Sequence, residues 1–519
     1  MYNRRGSLRH GFDPLPALMA LLAAGLLLRL LLAAVLGLGI DESYVVSVAR
    51  SFSLSYFDHP PLHFWLVRAS ALLAGSEQPL VLRLPFILLF AGTTWLMFWL
   101  TRFLFGGRAG FYAALLLNVS AVFSLSSGSW VLPDGPLLFF LLAAAAVLAR
   151  LLYSPGQAQR LPLWLAFGLL TGLGMLSKYH AVFLLAGLFV YLLTSPAARW
   201  LLFSPGPYIA VAAAFAVFSP VLIWNAGHGW VSFLFHSGRA VSQGFSPGAF
   251  AANIAGQAVW LLPWIWLPLA WVLACGLLAG PEPCRRQTQR DKIWLLSCLA
   301  SGPVIFFTAA TLWGAQGLFH WQAPGYLIAL PLLGRAAAET AVRFPRLVAV
   351  WLRGSVAAFL LLVLVLASHT ATGWLAETAP QLFAHGDPTL ESLDWLDLPP
   401  ALARQGYLAP AAGENYFIVA TNWMEAGKID YALGGALPVI VLSPEPHHYP
   451  FVHSLPAFKG RDALIISRQD SQPAMQPYFD SLTRLPDVTV HRRQRAELKL
   501  ILYQARSFHG DYPLPFGVR

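Results

Sequence analysis

The stretch PLPALMALLAAGLLLRLLLAAVLGLGIDE, residues 14–42, decides the class of fold. It stays apolar over the roughly 20 residues that a helix needs to cross the hydrocarbon core of a bilayer. It then ends abruptly at Asp41 and Glu42. The chain begins with the basic stretch MYNRRGSLRH before this apolar run. A secretory signal peptide has the same arrangement, but its apolar core is shorter. We therefore expect an uncleaved first membrane helix with two acids at its end.

Apolar runs of similar length recur as far as residue 370. Hydrophobic residues make up 57% of the 519-residue chain and charged residues only 11%, whereas soluble domains carry about 25% charged residues. This composition predicts a polytopic α-helical membrane protein with about 11 transmembrane helices. The predicted spans are residues 15–40, 82–104, 109–128, 136–153, 162–177, 180–196, 205–224, 256–280, 293–313, 322–341 and 347–370.

The distribution of Arg and Lys predicts how these spans are oriented. The formal net charge is +10, and the basic residues gather in alternate short loops, as they do on the cytoplasmic side of membrane proteins. A cytoplasmic N-terminus sends residues 41–81, residues 225–255 and everything after about 371 to the outer side. Because the basic residues are explained by this orientation, we expect no nucleic-acid partner. The cytoplasmic loops hold no glycine-rich phosphate-binding motif, so we expect no nucleotide cofactor.

Residues 371–519 form a second predicted domain after the transmembrane domain, residues 1–370. Polar residues become frequent, and short strand-like runs flank a helix-like run, which predicts a small α/β domain on the outer side. Its pair His447-His448 is interpreted as a solvated turn. The strand-like runs are residues 416–421, 438–442, 462–467 and 498–505, and the helix-like run is residues 422–433.

The first outer loop contains two segments that are apolar with an occasional Arg, YVVSVARSF and LHFWLVRASALLAG. Such segments are typical of helices that lie in the membrane interface, and Pro60-Pro61 suits the start of the second one. Between them, YFDHPPL brings Asp58 and His59 together. The pair could bind a divalent cation, contact a phosphate oxygen, or only form a capped turn.

Further ionisable residues gather on the same predicted side. Asp41 is a candidate general base or a solvated helix cap, and Asp134 lies in a Pro-Asp-Gly-Pro turn. Lys178 stands between two apolar segments, where it could hold a lipid phosphate or snorkel to the interface. The loop 224–239 adds His236 and Arg239. This sidedness favours an enzyme that acts on a phosphate-bearing lipid.

Several stretches resemble, in the same order, segments of bacterial glycosyltransferase family 39. They are DESYVVSVARSFSLSYFDHPPLHFWLVRAS, LPDGPLLFF, GLGMLSKYHAVF, SPVLIWNAGHGWVSFLFHSGR and ATNWMEAGKIDYALGG. The family has the C-type membrane glycosyltransferase (GT-C) fold and is related to the lipid A aminoarabinose transferase and the protein O-mannosyltransferases. The resemblance implies an inverting transferase of class EC 2.4 in the bacterial inner membrane. Its expected donor is an undecaprenyl-phosphate sugar, and its expected acceptor is lipid A, another envelope lipid or glycan, or a protein.

The resemblance also implies residue roles. Asp41 matches the leading catalytic aspartate and is assigned as the base, with Glu42 beside it and Asp134 as the second outer-loop acid. Lys178 matches a lysine near the donor phosphate. His59, which stands where some relatives carry lysine, is also assigned to that phosphate. Cations near the departing phosphate would stabilise its charge. The remaining assignments are Arg83 and Arg239 at the donor phosphate, Tyr56, Tyr179 and His180 at the substrate, and Asp58 with His236 as ligands of a possible divalent metal.

Two other functions are compatible with a polytopic chain of this composition. A lipid or solute transporter, such as a flippase, would carry ionisable residues at mid-membrane in broken, repeat-related helices. Here the ionisable residues concentrate in the outer loops. A non-catalytic envelope scaffold would leave Asp41, Asp58 and Lys178 without a role. The sequence therefore favours the glycosyltransferase.

Overall fold

The computed structural model describes residues 13–239, 244–284, 287–314, 317–408 and 416–515. Within these ranges, fifteen α-helices precede the C-terminal domain. They are α1 (Pro14–Val35), α2 (Ile40–Ala49), α3 (Leu62–Ala74), α4 (Pro79–Phe105), α5 (Gly107–Asn118), α6 (Asp134–Tyr153), α7 (Leu161–Ser177), α8 (Val182–Thr194), α9 (Gly206–Gly227), α10 (Val231–Arg239), α11 (Pro247–Leu261), α12 (Pro263–Ala279), α13 (Gln289–Thr311), α14 (Ala323–Arg343) and α15 (Pro345–Thr372). A π-helix covers Val122–Ser127, and 3-10 helices cover Tyr179–Ala181 and Arg199–Phe203.

Six of the described helices are long and apolar enough to cross a membrane, namely α1, α4, α6, α9, α13 and α15. Each of the predicted spans contains a helix, but several of these helices are too short or too polar to pass as a full crossing. The predicted count of about 11 spans is therefore not confirmed, whereas the polytopic helical architecture is.

The pair α11 and α12 replaces the single span predicted at residues 256–280. The two helices meet at an angle of 112°. At the bend, Leu262 has a φ of 71° and Pro263 begins α12. A residue before proline is disfavoured in the α conformation, so the helix stops there. The prediction of one continuous span is therefore wrong. It was made because apolar residues run unbroken across this bend.

The first span is anchored by its cap and by a buried arginine. Asp13 precedes the first helical residue, Pro14, and its carboxylate accepts a hydrogen bond from the Leu15 amide. An acidic cap followed by proline is a common start for a helix. Near the far end of α1, Arg29 donates to Asn118 Oδ1 at 3.2 Å and to Ser124 Oγ at 2.7 Å. A charge inside the membrane must find polar partners, so these contacts fix α1 against the rest of the bundle.

The two helices expected in the first outer loop are present as α2 and α3. α3 begins at Leu62 directly after Pro61 and ends at Gly75, whose φ of 62° is the left-handed conformation of many helix ends. Residues Glu42 to Ala49 of α2 are all buried. α2 is therefore enclosed by protein and is not a surface helix.

The C-terminal domain contains a mixed sheet of order β2-β1-β3-β6-β4, with β5 also paired to β6. β1 pairs in parallel with β2 and β3, whereas β6 runs antiparallel to β3, β4 and β5. The four predicted strands and the predicted helix are confirmed; β4 and β5 were not predicted. The strands are β1 (Tyr416–Ala420), β2 (Val439–Val441), β3 (Asp462–Ser467), β4 (Phe479–Arg484), β5 (Val488–Arg492) and β6 (Arg495–Phe508).

Short helices connect the last long helix to the sheet and cover it. The predicted domain boundary at 370/371 falls two residues before the end of α15. The α-helices of this part are α16 (Trp374–Thr378), α17 (Leu398–Arg404), α18 (Trp423–Leu433), α19 (Tyr449–Val452) and α20 (Gln472–Met475), with 3-10 helices at Pro380–Phe383, Pro388–Ser392, Leu455–Phe458 and Gln476–Tyr478.

The C-terminal domain docks on the transmembrane part by packing α18 against α2. A Cβ atom at Gly427 would lie 2.7 Å from the backbone nitrogen of Tyr44, so only glycine allows this approach. Lys428 donates to the backbone oxygen of Leu38, and Ser47 donates to the Asp430 carboxylate. The segment that carries the candidate site is thus held between the two domains.

Candidate active site

Asp41 lies in the first turn of α2, on the side of the molecule that carries the C-terminal domain. Within the described residues, its carboxylate has no hydrogen bond or ion pair, and its side chain is exposed. The surrounding protein nevertheless displaces much of the water around it. This desolvation, with the nearby carboxylates of Glu391 and Asp58, raises the pKa of Asp41 to about 6. An accessible carboxylate with a raised pKa is suited to accept a proton near neutral pH.

Glu42, the next residue, has a different environment. Its carboxylate forms a two-pronged ion pair with Arg83, at 2.6 Å and 2.8 Å, and also accepts hydrogen bonds from the amides of Gly39 and Val131. Although burial raises the pKa of Glu42, Arg83 and these donors hold it below its usual value. Both side chains of the pair are only 3% exposed.

All three guanidinium nitrogens of Arg83 donate hydrogen bonds in this part of the chain. Beyond Glu42, it donates to the backbone oxygens of Leu36 and Gly37, each at 2.7 Å. These contacts join the end of α1, the start of α2 and α4. They favour a structural role for the Glu42–Arg83 pair over the predicted roles in catalysis and in phosphate binding.

Asp58 is buried in the loop between α2 and α3. Its Oδ1 accepts a hydrogen bond from the Tyr44 hydroxyl at 2.8 Å, and its Oδ2 lies 3.3 Å from His447 Nδ1. Burial raises the pKa of Asp58, but the hydrogen bonds from His447 and Tyr44 outweigh this and lower the pKa below its usual range. The carboxylate is therefore ionised and fixed by two donors.

Tyr56, predicted as a substrate contact, packs inside the same loop. Its ring is fully buried and stacks on Phe64 with the ring centres 3.8 Å apart. Its hydroxyl donates to the backbone oxygen of Ser51. These contacts make Tyr56 part of the support of the loop.

Lys178 and Asp134 form a second buried ion pair. α6 begins at Asp134, and α7 ends at Ser177, directly before Lys178, whose backbone is extended. The ammonium nitrogen lies 2.9 Å from both carboxylate oxygens. An ammonium has three N–H donors, so one donor of Lys178 remains for a phosphate oxygen after the pair has formed.

A group of histidines lies between the Asp58 loop and this pair. The ring of His59 is centred 5.6 Å from that of His63 and 6.5 Å from that of His236. Burial lowers the pKa of His59 to about 4; nearby Lys178 and His236 act in the same direction and Asp58 opposes them. His59 is therefore neutral at pH 7 and would meet a phosphate as a hydrogen-bonding group.

Two other predicted residues, Tyr179 and His180, lie near this group. The Tyr179 ring packs edge-on against His236, with the centres 5.2 Å apart. His180 stacks on Phe307 at 4.5 Å. Arg239 ends α10, but its side chain lies outside the described residues.

The described residues do not fit the metal site expected from the resemblance. They contain no group of three His, Cys, Asp or Glu side chains that could hold an ion. His236 Nε2 lies 2.9 Å from the backbone oxygen of Asp58, and both carboxylate oxygens of Asp58 already face Tyr44 and His447. We therefore derive no step through a metal.

A cavity of about 320 Å³ opens beside the loop. Phe57, one residue before Asp58, packs with Trp224 and Phe451 at its edge. The lining combines aromatic rings with hydroxyl and imidazole groups, a mixture typical of sites for small polar ligands. The lining residues are Ser51, Phe52, Ser53, Leu54, Trp224, His228, His448 and Phe451.

Sequence reasoning missed several residues of the site. The interpretation of His447-His448 as a solvated turn is wrong, because both side chains are buried against the transmembrane part. Tyr44 was quoted only as part of a motif. His63 was not singled out, yet it is fully buried with both ring nitrogens unpartnered among the described residues. Its spacing of four from His59 was the one available signal.

Comparisons with known proteins agree with this architecture. The family model described as dolichyl-phosphate-mannose-protein mannosyltransferase matches residues 58–224. A curated relative, the lipid A galacturonosyltransferase RgtD of Rhizobium johnstonii, is 34% identical over 191 residues. That match covers 36% of this chain and 38% of RgtD, so it spans well under half of either protein.

Two solved structures share the fold over nearly the whole chain. ArnT from Cupriavidus metallidurans in the apo state has a TM-score of 0.61 at 15% identity, covering 95% of this chain and 98% of ArnT. The same protein bound to undecaprenyl phosphate has a TM-score of 0.56 at 16% identity, covering 94% and 97%. The GT-C fold and the resemblance to this glycosyltransferase class are confirmed.

Proposed function

We propose that this chain, a multi-pass membrane protein with the GT-C fold, is an inverting glycosyltransferase. It moves a sugar from a polyprenyl-phosphate donor, with undecaprenyl phosphate as the carrier, to an envelope acceptor. The observation that carries the proposal is the difference between the environment of Asp41 and the environments of the other three acids. Glu42, Asp58 and Asp134 are held by partners, whereas Asp41 is accessible and has a raised pKa.

The donor is supported by the cation beside the site and by the shared fold. Lys178 is a buried ammonium with one free donor, and a buried cation stabilises the developing charge of a departing phosphate strongly. ArnT, which has the same fold, has been solved with undecaprenyl phosphate bound. Apolar helices around the site supply the membrane surface that a polyprenyl chain requires.

The acceptor proposed is lipid A, or another lipid or glycan of the envelope, with protein as a further candidate. RgtD is a lipid A galacturonosyltransferase, and the matching family model describes a protein mannosyltransferase. The cavity beside Phe57 offers aromatic rings and hydroxyl groups near the loop.

The proposed reaction is a single displacement at the anomeric carbon of the donor sugar. Asp41 removes the proton of the acceptor hydroxyl, whose oxygen forms a bond to the anomeric carbon of the donor sugar. The bond from that carbon to the phosphate oxygen breaks, and the polyprenyl phosphate leaves with the electron pair. Lys178 stabilises its charge. Attack from the face opposite the leaving group inverts the anomeric configuration.

The proposed location is the bacterial inner membrane, with the N-terminus in the cytoplasm and the C-terminal domain in the periplasm. The basic loops support this orientation. Asp41, the Lys178–Asp134 pair and the C-terminal domain then face the periplasm, where envelope acceptors are reached.

The rate of transfer should depend on pH through Asp41. A base acts only when deprotonated, and the pKa of Asp41 is raised to about 6. We therefore expect kcat/KM to fall tenfold per pH unit below about 6 and to level off above about 7. Rates of the purified protein across this range check it. A rate that is constant between about pH 5 and pH 8 would argue against Asp41 as the base.

The experiment that tests the proposed function is mass spectrometry of the cell envelope with and without the protein. Lipid A, core glycan and envelope proteins are analysed separately. We expect one class to lose the mass of a single sugar when the protein is absent and to regain it on complementation. Identical spectra in all three classes, under conditions in which the protein is produced, would contradict the proposal.

A further inference from the structure

The C-terminal domain reaches into the candidate site through the turn that carries His447 and His448. His447 Nδ1 lies 3.3 Å from Asp58 Oδ2. The amide of Phe57 donates to His448 Nδ1 at 3.0 Å, and the amide of His448 donates to the Tyr44 hydroxyl at 3.2 Å. Tyr44 in turn donates to Asp58. The loop and the turn are joined by a closed set of hydrogen bonds.

This junction is buried and conformationally specialised. Asp58 is 4% exposed, His447 7% and His448 2%. His447 has a φ of 52°, a left-handed conformation that is unusual for a residue other than glycine and is tolerated where the surroundings impose it. The ring of His447 also packs on Trp423, the first residue of α18, with centres 4.3 Å apart. The fold thus holds this imidazole at a fixed place.

The docking of α18 on α2 holds the same junction from the other side. Asp430 receives a hydrogen bond from Ser47 and an ion pair from Arg50 at 2.9 Å. Gly427 brings the backbones of the two helices together at Tyr44. α2 also carries Asp41, so the proposed base and the loop of Asp58 are positioned by one contact surface of the C-terminal domain.

We infer that the C-terminal domain completes the active site, with His447 acting as a positioning residue that fixes the Asp58 carboxylate and its loop relative to Asp41. The inference rests on the proposed function, because the effect on turnover requires a transfer reaction. It concerns a residue 389 positions away from Asp58 in sequence and gives the C-terminal domain a role in the chemical step.

Replacing His447 by Leu removes the hydrogen bond and keeps an apolar side chain of similar bulk. We expect kcat to fall about 10–100-fold, the rate equivalent of losing a hydrogen bond to a charged group. KM for the donor and binding of undecaprenyl phosphate alone should stay near their wild-type values, because the described contacts of His447 include neither Lys178 nor Asp134. His447→Asn places an amide N–H where Nδ1 was and should restore most of kcat.

A second readout does not need activity. Hydrogen–deuterium exchange of the full-length protein in lipid nanodiscs should show faster exchange of the 56–58 loop amides in His447→Leu than in the wild type, and wild-type exchange in His447→Asn. His453→Leu is the matched control: it makes the same change in the same segment, where the ring packs against Phe458. It should leave both kcat and loop exchange unchanged.

The outcomes separate the two proposals. Faster loop exchange without detectable transfer by any variant, wild type included, would support the positioning and refute the proposed function. Wild-type kcat and loop exchange in His447→Leu would overturn the inference, as would equal losses in the Asn and Leu variants. If His447→Leu does not fold, Tyr44→Phe removes the other hydrogen bond to Asp58, and unchanged kcat in that variant would also overturn it.

Discussion

Replacing Asp41 by Asn is expected to reduce the rate of sugar transfer by about 10²–10⁴-fold, the usual contribution of a general base. Asn keeps the shape of the side chain but cannot take the proton of the acceptor hydroxyl. The effect should appear in kcat, with binding of undecaprenyl phosphate retained, because the proposed donor contact is Lys178. Single-turnover transfer by the purified variant measures it.

The same variant should remain folded. The folded protein raises the pKa of Asp41 to about 6, above its value in an unfolded chain, so ionisation of Asp41 opposes folding as the pH rises through this range. Asn does not ionise, so at pH 8 the variant should unfold at the wild-type temperature or slightly above it. Asp480→Asn, an exposed acid of the C-terminal domain, is the control. Full transfer activity of Asp41→Asn would remove Asp41 as the base.

Replacing Glu42 by Ala is expected to produce the largest loss of stability. It leaves the Arg83 guanidinium buried without its anion, and breaking such a pair lowers the free energy of unfolding by about 3–5 kcal/mol. Unfolding of the variant in mixed micelles measures the loss. Changing both residues, Glu42→Ala with Arg83→Met, should recover part of it because no unpaired charge remains.

An exposed ion pair of the same protein provides the control. Arg335 and Glu339 are one helical turn apart in α14, and Glu339 is 56% exposed. Glu339→Ala should cost only about 0.3–0.5 kcal/mol. A Glu42→Ala variant with wild-type stability and no transfer activity would contradict the structural role and would support the predicted catalytic role of Glu42.

Local patterns in the sequence predicted much of the fold. The strand at residues 462–467 and the helix at 422–433 were predicted within one residue, because a buried strand between polar turns and a capped amphipathic helix are local signals. β4 was missed because only Phe479 of its six residues is buried, and β5 because it is only five residues long and has no apolar run. The break at Leu262 was missed because a proline alone does not mark one: Pro268, Pro303 and Pro331 all lie inside continuous helices.

The candidate site was predictable only in part, because its contacts join residues that lie far apart in the sequence. Asp41, Asp58, Asp134 and Lys178 stood out as costly residues beside apolar segments. Their pairing did not, since Lys178 reaches Asp134 across 44 positions and no short-range pattern encodes that contact. His447 was interpreted as part of a solvated turn because its partner, Asp58, comes from the first outer loop and lies far away in the sequence.

The most direct test of the central claim is the fate of the donor in vesicles that contain only the purified protein. An undecaprenyl-phosphate sugar, labelled in the sugar, is supplied with lipid A as acceptor. The glycosyltransferase account predicts labelled lipid A and an equal amount of free undecaprenyl phosphate, both abolished by Asp41→Asn. A donor that crosses between leaflets with its sugar still attached, and no labelled product from lipid A, glycan or protein acceptors, would contradict that account and identify a transporter.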